Sequence, residues 1–348
     1  MKAWVLHGIN DIQLEEVETP TLSEQEVLVQ VKAFGICGSD IPRIYQTGAY
    51  SHPLIPGHEF SGQVVQLGAN VDKTWQDQRV AIFPLIPCQS CLSCQKQQYE
   101  MCAHYSYLGS RQDGGFAKYV AVPVWNLLPL PEGVSYEAAA MLEPMSVATH
   151  AMRRLNPSPS DTIAICGLGT IGLLLAMLLK EAGIHHLLFL GNKDFQKKKV
   201  VELGFSPDAY CDTRTEDIPK WLLEHTNHHG VDCFFECVGK NVTISLAIEC
   251  TAPTGSIMLV GNPHQDLHLK KEIYWKILRR QLHIQGTWNS SFTHHLEDDW
   301  HYILERLKQQ TLVPTSLITH RLPFEQLEQA LHIMKDKTEN HIKIILSL

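Results

Sequence analysis

Residues 162–183 read TIAICGLGTIGLLLAMLLKEAG and contain three glycines in the pattern G-x-G-x-x-G. A short apolar run precedes the glycines and a longer one with helical spacing follows them, which is the context in which this pattern binds a dinucleotide. The glycines then permit a tight turn, close approach of the backbone to a pyrophosphate, and packing of the helix on the strand. Free N–H groups at the start of the helix face the phosphates. The candidate cofactor-binding residues here are Gly167, Gly169, Thr170, Ile171 and Gly172.

Two other interpretations of this stretch are an ordinary strand-to-helix turn and a membrane-spanning helix. The second arises because residues 163–179 carry no charge. That run is at the short limit for crossing a bilayer, and glycines interrupt it. The position of the glycine pattern therefore favours a buried strand followed by a buried helix.

The pattern after residue 162 alternates between strands and helices. Further strands are predicted for HLLFL (186–190), VDCFFEC (231–237), GSIMLVG (255–261) and LHIQGTW (282–288). This alternation is typical of a parallel sheet with helices on both faces. The expected fold class is therefore α/β, with a doubly wound parallel-sheet domain over residues 148–290.

The regions on either side of that domain have a different character. Residues 1–147 are rich in valine, glycine and proline and contain short alternating runs, which predicts a β-rich domain with many turns. Residues 291–348 contain two helical patterns and a final apolar run, HIKIILSL. A lone strand needs a sheet to join, so we expect this segment to return to the first domain.

The composition limits the class of protein. The chain has 348 residues, 44% of them hydrophobic, which suits two packed domains. A formal net charge of -8 argues against a nucleic-acid partner. The first residues contain no long apolar run, so we expect a cytoplasmic protein without a membrane partner. Four of the ten cysteines lie close together, which is more typical of a metal site than of an extracellular disulfide scaffold.

That cluster of four cysteines predicts a metal site. Cys88, Cys91, Cys94 and Cys102 are separated by two, two and seven residues in a polar stretch. Four thiolates at this spacing can surround one tetrahedral Zn²⁺, and the metal would then order the lobe formed by residues 88–102. An iron–sulfur cluster is the alternative, although the last cysteine lacks the proline that follows it in ferredoxin patterns.

Three further segments contain candidate metal ligands. Each segment by itself is weak evidence for a metal site. They are GICGSD with Cys37, Ser39 and Asp40, PGHEFSG with His58 and Glu59, and MLEPMS with Glu143. A cysteine in a glycine-rich segment is more often packed than metal-bound, and a serine there commonly bonds the backbone of a turn. Asp40 is predicted to cap a helix that begins at Ile41, with Pro42 in its first turn.

The order of these motifs along the chain resembles the zinc-dependent medium-chain dehydrogenases. Longer runs such as GICGSDIPRIYQTGAY and LGSRQDGGFAKY resemble the polyol branch of that family, and the resemblance covers nearly the whole chain. It implies a GroES-like catalytic domain over residues 1–147 and a Rossmann domain over 148–290, with residues 291–348 completing the first domain. It also implies an enzyme that transfers hydride between a secondary alcohol of a polyol or polyol phosphate and a nicotinamide cofactor.

The same resemblance implies roles for the scattered candidates. Cys37, His58 and Glu143 match the ligands of a catalytic zinc, and Glu59 is either a supporting group or an alternate ligand. A catalytic zinc keeps one position open for water or substrate and makes a bound alcohol more acidic. Ser39 is then placed to accept the alcohol proton. Two zinc ions per chain are expected, one catalytic and one structural.

The substrate is the least determined part of this interpretation. A phosphate dianion favours arginine or lysine, and Arg43 and Arg111 lie in segments shared with the polyol enzymes, although each also suits a surface salt bridge. Trp288 follows the last predicted strand and suits either a pocket wall or the core. The alternative functions are a sorbitol- or xylitol-type dehydrogenase for unphosphorylated substrates and a non-catalytic regulatory relative. The complete set of candidate zinc ligands argues against the last.

The segment LGNKDFQKKK (190–199) predicts which cofactor is preferred. NAD-binding domains of this type place an acid about 20 residues beyond the glycine loop, where it bonds the ribose 2′-hydroxyl. Gly191 occupies that place, Asn192 can donate a hydrogen bond, and Lys193 adds positive charge. We therefore expect NADP(H) to be preferred over NAD(H). The alternative is that Asp194 serves as the ribose acid.

The expected assembly is a homo-oligomer, at least a dimer. GSIMLVG and the following NPHQDLHL (262–269) are interpreted as the edge of the parallel sheet. The resembled family pairs such edges across a two-fold axis, and an exposed flat edge would otherwise invite aggregation.

Overall fold

The structure, a computed structural model, describes all 348 residues. The chain divides into two compact units, one formed by Met1–Ser146 with Ser290–Leu348 and the other by Val147–Asn289. The first unit is rich in β-strands, and the second alternates strands with helices. These features confirm the predicted α/β class, with a β-rich domain and a doubly wound domain.

The first 146 residues contain nine strands. They are β1 (Lys2–Gly8), β2 (Asp11–Glu16), β3 (Glu26–Gly35), β4 (Glu59–Leu67), β5 (Arg79–Ile82), β6 (Leu85–Ile86), β7 (Ser106–Tyr107), β8 (Tyr119–Pro123) and β9 (Leu127–Pro129). The α-helical segments are α1 (Asp40–Pro42), α2 (Leu92–Gln95) and α3 (Tyr136–Ala140). The long strand β3 buries its valines, while Gln30 and Lys32 stay partly exposed, because one face of the sheet meets the core.

Helix α4 (Leu142–Leu155) precedes a regular succession of strands and helices. The strands are β10 (Ile163–Cys166), β11 (Leu187–Gly191), β12 (Tyr210–Asp212), β13 (Val231–Glu236), β14 (Thr251–Leu259) and β15 (His283–Gly286). The helices are α5 (Thr170–Glu181), α6 (Asp194–Glu202), α7 (Ile218–His225), α8 (Asn241–Cys250) and α9 (Lys271–Arg280). All six strands run parallel, in the spatial order β12-β11-β10-β13-β14-β15.

This strand order corrects one expectation from the sequence. The segment GSIMLVG was expected at the edge of the sheet, but β14 lies between β13 and β15, and the short strand β15 forms the edge. The strand order also reverses between β10 and β13, because the chain moves one way from β10 to β12 and the other way from β13 to β15. In sheets of this type a ligand binds beside the carboxyl ends of the strands at such a reversal.

No helix in the structure combines the length and the apolar character that crossing a bilayer requires. The uncharged run 163–179 instead forms strand β10, the glycine turn and most of helix α5. The membrane-spanning alternative for this stretch is therefore wrong.

The last part of the chain contributes to the sheet of the first unit. Its elements are α10 (Asp299–Lys308), β16 (Ile318–Pro323), α11 (Leu327–Asp336) and β17 (Lys343–Ser347). Strand β17 pairs antiparallel with β3, and the spatial order is β16-β17-β3-β4-β5-β9, with β8 also paired to β3. The carboxyl end of β3 is therefore flanked by β4 on one side and by the C-terminal strand on the other.

Candidate metal sites and cofactor loop

One candidate metal site lies where strands β3 and β4 meet. Cys37 follows β3 closely, His58 immediately precedes β4, and Glu59 is the first residue of β4. The ligand atoms of these three residues lie within 4.8 Å of one another. His58 and Glu59 are buried, and Cys37 is partly exposed. A thiol, an imidazole and a carboxylate at this separation are a donor set that suits zinc.

Asp40 does not have the capping role expected from the sequence. Ser39 holds the N-cap position of α1 without a capping hydrogen bond from its side chain, and Asp40 lies in the first turn, fully buried. Its carboxylate accepts the backbone N–H of Cys37 at 3.0 Å and Arg43 Nη1 at 2.6 Å, and it lies 3.5 Å from His58 Nδ1. Asp40 therefore contacts both the backbone of Cys37 and the imidazole ring of His58.

Burial and nearby charges shift the pKa values of two residues in this cluster, Asp40 and His58. Burial acts to raise the pKa of the Asp40 carboxyl, but His58 and Arg43 hold that pKa below its ordinary value. Burial acts to lower the pKa of His58, but Asp40 and Cys37 raise that pKa well above its usual range. Because Asp40 faces Nδ1, the Nε2 atom of His58 is the nitrogen left for a metal.

Glu143, the other expected ligand, lies outside the group of three. It is in the first turn of α4, only 7% exposed, and its Oε1 accepts a hydrogen bond from the Tyr107 hydroxyl at 3.2 Å. Burial raises its pKa to about 7, although nearby His58 acts in the opposite direction. The Tyr107 ring also packs edge-on against His58, with ring centroids 5.9 Å apart. Tyr107 thus holds Glu143 close to the cluster.

Two more side chains complete the surroundings of this site. Ser39 Oγ donates to Cys37 Sγ at 3.3 Å, so its hydroxyl lies beside the candidate thiolate ligand. The carboxylate of Glu59 forms an ion pair with Lys343 of β17, which is 1% exposed. Nothing in the local sequence around Lys343 marks it as part of this site.

The four clustered cysteines form a second compact group. Their sulfur atoms lie within 4.8 Å of one another, and the separations are 3.6 Å for Cys91–Cys94, 3.9 Å for Cys91–Cys102 and 4.0 Å for Cys88–Cys94. Four sulfurs bound tetrahedrally at about 2.3 Å from one ion would be separated by about 3.8 Å. Sulfurs this close suit a single ion better than a cluster of several iron atoms.

The thiols of this lobe have different surroundings. Burial raises the pKa of Cys94 to about 12, whereas hydrogen-bond donors surround Cys88. Cys88 Sγ accepts the backbone N–H of Cys91 at 3.4 Å and the hydroxyl of Ser90 at 3.5 Å. The hydrogen bonds from Ser90 lower the pKa of Cys88 to about 5. A thiolate is the form that binds metal, so these donors favour the metal-binding form of Cys88.

The glycine loop occupies the turn between β10 and α5. Gly167 has φ +95, and a Cβ there would lie 2.6 Å from Val238. A Cβ at Gly172 would overlap the carbonyl oxygen of Gly167, so only glycine allows this approach. Gly169 is the N-cap of α5, and the space where its Cβ would lie is open. The loop therefore leaves room above the N-terminus of α5, at the point where the strand order reverses.

The end of β11 is more crowded than the sequence indicated. Gly191 is buried, and a Cβ there would lie 2.7 Å from the Tyr210 hydroxyl and 3.0 Å from Gln196 Oε1. Asn192 and Asp194 are exposed, whereas Lys193 is partly buried. Glycine is thus required at 191 by packing, in addition to any effect on a cofactor.

Arg214 is a neighbour of this strand end that sequence reasoning missed. Its guanidinium contacts Asp194 Oδ1 and Asp212 Oδ2, each at 2.5 Å. The proposed alternative ribose acid, Asp194, is therefore ion-paired with arginine. Arg214 lies in the loop after β12, beyond the glycine loop and the strand end that the dinucleotide-binding pattern covers. The local sequence therefore did not identify it.

The three tentative substrate residues have different surroundings. Arg43 is ion-paired with the buried Asp40. The Arg111 guanidinium packs on two aromatic rings, 4.2 Å from the centre of the Tyr50 ring and 4.5 Å from that of Tyr105. Its Nη2 donates to the Tyr105 hydroxyl at 3.4 Å, and it has no carboxylate partner. Trp288 is 55% exposed, so it is not part of a core.

Comparisons with known proteins agree with these features. Residues 23–132 match the family described as alcohol dehydrogenase GroES-like domain, and residues 170–309 match the family described as zinc-binding dehydrogenase. Galactitol 1-phosphate 5-dehydrogenase of Escherichia coli K12 is 33% identical over 332 residues, which cover 95% of each chain. A crystal structure of the E. coli galactitol-1-phosphate dehydrogenase superposes with a TM-score of 0.92 over 100% of both chains at 31% identity.

Two other known dehydrogenases are also similar to this chain. A sorbitol dehydrogenase of Halalkalibacterium halodurans is 31% identical over 359 residues, covering 100% of this chain and 99% of the relative. A structure described as a short chain alcohol dehydrogenase from E. coli CFT073 in complex with NADH is 26% identical, with a TM-score of 0.91 over 100% of this chain and 99% of the other. The chain therefore belongs to the zinc-binding alcohol dehydrogenases, a medium-chain oxidoreductase family that includes the polyol dehydrogenases.

Proposed function

We propose that this oxidoreductase oxidises a secondary hydroxyl of a phosphorylated polyol similar to galactitol 1-phosphate, with a nicotinamide cofactor as hydride acceptor, and reduces the ketose in the reverse direction. The observation that carries the phosphate assignment is Arg111, a cation packed on two tyrosine rings without a carboxylate partner. A guanidinium stacked on its faces still presents its N–H edge, which is the edge that binds a phosphate.

Arg43 is a poorer candidate for the phosphate. Its guanidinium is 2.6 Å from the carboxylate of Asp40, which is buried and also contacts His58. Moving Arg43 toward a substrate would leave a buried carboxylate without its partner, which is costly. In a substrate that is phosphorylated at carbon 1 and oxidised at carbon 5, the phosphate is several carbon atoms from the reacting hydroxyl. The residue that binds the phosphate must therefore lie away from the metal site. Arg111 fits this need, because its guanidinium packs on the Tyr105 ring, which packs on the Tyr107 ring, which in turn packs on His58.

The catalytic zinc is proposed to bind Cys37 and His58, with Glu143 as the third protein ligand and Glu59 as an alternate. When bound, zinc supplies a Lewis acid that makes the substrate hydroxyl more acidic. Asp40 fixes the orientation of the His58 ring, and Tyr107 holds the Glu143 carboxylate. Ser39 presents its hydroxyl beside Cys37 and is proposed to accept the alcohol proton. The structural zinc is proposed to bind Cys88, Cys91, Cys94 and Cys102.

The cofactor is proposed to bind along Gly167, Gly169, Thr170, Ile171 and Gly172, with its ribose near Gly191, Asn192 and Lys193. NADP(H) is proposed as the preferred form. Gly191 offers no carboxylate to repel a 2′-phosphate, and the nearest acid on this strand end, Asp194, is already paired with Arg214. Lys193 places an ammonium at the start of α6.

A homo-oligomer, at least a dimer, is proposed to form along the edge strand β15. That strand pairs on one side only, with β14. The segment 267–288 also contains seven of the seventeen large apolar side chains that are exposed: Leu267, Leu269, Tyr274, Trp275, Leu278, Ile284 and Trp288. An open edge beside so much exposed apolar surface is typical of an interface.

A substrate panel tests the proposed activity. Reduction of NADP⁺ and NAD⁺ is followed by absorbance with galactitol 1-phosphate, galactitol and sorbitol. The proposal requires kcat/KM to be highest for the phosphorylated polyol. Equal or higher values for sorbitol would favour the alternative function, a dehydrogenase of unphosphorylated polyols, which the sorbitol dehydrogenase relative makes the second candidate. Absence of turnover with every polyol and both cofactors would overturn both.

A further inference from the structure

An exposed tyrosine covers the arginine that is proposed to bind the substrate phosphate. Tyr50 is 73% exposed, so most of its side chain lies outside the core. Its ring nevertheless packs on the guanidinium of Arg111, at 4.2 Å from the ring centre. The Tyr105 ring packs on the same guanidinium, and its hydroxyl accepts a hydrogen bond from Nη2. Contact with two rings restricts the orientations that the guanidinium can adopt.

The two tyrosines are supported in different ways. Tyr105 lies directly before the short strand β7, which pairs with β6. Tyr50 belongs to the loop formed by residues 48–53, which contains no helix or strand. The position of the Tyr50 ring over Arg111 therefore depends on contacts that the loop itself makes.

His52 provides such contacts through both nitrogens of its ring. Its Nε2 accepts the backbone N–H of Ala49 at 3.3 Å, and its Nδ1 lies 3.1 Å from the carbonyl oxygen of Leu6 in β1. Because Nε2 accepts a hydrogen bond, Nδ1 is the protonated nitrogen and donates to Leu6. Gly48, with φ +78, begins the loop, and a Cβ there would lie only 3.3 Å from Nε2. The loop is thus fastened to β1 on both sides of Tyr50.

From these contacts we infer that Tyr50 is a specificity-determining residue for phosphorylated polyols and that His52 is a positioning residue that acts through it. This inference rests on the proposed function. His52 holds the loop so that Tyr50 stays over Arg111, and Tyr50 restricts the guanidinium before a phosphate arrives. A side chain that is ordered in advance loses less conformational entropy when a ligand binds. An unphosphorylated polyol gains nothing from this arrangement.

Initial-rate kinetics with galactitol 1-phosphate and with galactitol test the role of Tyr50. Tyr50→Ala should raise KM for galactitol 1-phosphate about fivefold, as expected for loss of a cation–ring contact at an exposed site. Its kcat, and both constants for galactitol, should stay at the wild-type values. Tyr50→Phe keeps the ring and should behave like the wild type. An equal loss for both substrates in Tyr50→Ala would show a general structural effect and would overturn the role in specificity.

The double variant Tyr50→Ala/His52→Leu tests whether His52 acts through Tyr50. His52→Leu alone should raise the same KM by a similar factor, and the double variant should be no worse than Tyr50→Ala, because the two changes remove one effect. A double variant whose KM rises by the product of the two single effects would overturn the positioning role. His7→Leu is the matched control, since His7 of β1 pairs with Glu15 on the neighbouring strand. If His52→Leu does not fold, His52→Asn, which keeps a donor for Leu6, takes its place.

Arg111→Gln distinguishes failure of this inference from failure of the proposed function. If Arg111→Gln raises KM for galactitol 1-phosphate and Tyr50→Ala does not, the role of Tyr50 is overturned and the phosphate assignment stands. If Arg111→Gln leaves that KM unchanged, the phosphate assignment is overturned, and the roles of Tyr50 and His52 fall with it.

Discussion

The carboxylate of Asp40 lies 3.5 Å from Nδ1 of His58 while it accepts the backbone N–H of Cys37 at 3.0 Å. One buried side chain thus faces the imidazole of one candidate ligand and accepts a hydrogen bond from the backbone of the other. In metal sites, a carboxylate that holds the far nitrogen of a histidine fixes the ring and makes it a better ligand. Arg43 completes the arrangement by balancing the charge of the carboxylate.

Asp40→Asn should therefore weaken binding of the catalytic zinc by about 10–100-fold. The amide keeps the shape of the side chain but loses the charge that faces His58. Zinc content after dialysis against graded chelator concentrations measures the effect. Asp72→Asn is the matched control, because Asp72 accepts only the exposed backbone N–H of Thr74. Equal zinc retention by the two variants would contradict this role of Asp40.

The two metal sites should respond differently to loss of a cysteine. Cys37→Ala should abolish turnover and leave the fold intact, because Cys37 belongs to an open site. Cys91→Ala should destabilise the lobe 88–102, and a loss of about 2–3 kcal/mol would lower Tm by roughly 5–10 °C for a unit of this size. Metal analysis and thermal unfolding measure both effects, with two zinc ions expected per wild-type chain. A wild type with only trace zinc would contradict the mechanism.

Arg111→Gln should reduce kcat/KM for the phosphorylated polyol by about 10–100-fold, because charge-assisted hydrogen bonds contribute about 1.5–3 kcal/mol. Activity with the unphosphorylated polyol should change little. Lys118→Gln removes the same charge from an exposed position of the same unit and serves as the control. An equal loss for both substrates would show that Arg111 supports the fold of the site instead of recognising phosphate.

Asn192→Asp should reduce kcat/KM for NADP(H) about tenfold and leave NAD(H) less affected, because a carboxylate beside Gly191 repels a 2′-phosphate. Asn192 is exposed, so this change avoids the collision with Tyr210 that Gly191→Asp would cause. Lys198→Gln lowers the charge equally at an exposed site on α6 and is the control. A wild type that prefers NAD(H), and loses that preference in Asp194→Ala, would identify Asp194 as the ribose acid.

Ile284→Lys, in the edge strand β15, should convert the oligomer to monomers at micromolar concentration. A charge at this edge opposes pairing with a second strand. Val201→Lys is the matched control, since Val201 is 43% exposed, close to the 38% of Ile284, and lies on α6, which packs on β11 in the other half of the sheet. Light scattering gives the mass of each variant. A wild type that is already monomeric would reject the proposed assembly.

The sequence alone determined the features whose parts lie close together in the chain. The strand, glycine turn and helix around Gly167 follow one another directly, and the four cysteines occupy residues 88–102, so spacing was sufficient to predict both. The alternating pattern after residue 162 was also sufficient for a parallel sheet, because strands buried on both faces are continuously apolar. The α/β class and the enzyme family could therefore be predicted from local patterns and their order along the chain.

The tertiary structure decided the features that depend on which distant segments become neighbours. Lys343 reaches Glu59 because β17 pairs with β3, a partnership between residues more than 280 positions apart that no local pattern encodes. The crowding of Gly191 by Tyr210 and the position of β15 at the sheet edge likewise follow from strand order. Asp40 has the residue type of a helix cap, but burial beside His58 and Arg43 gives it a different role. Strand order and burial arise from packing of the whole chain, which the local sequence leaves open.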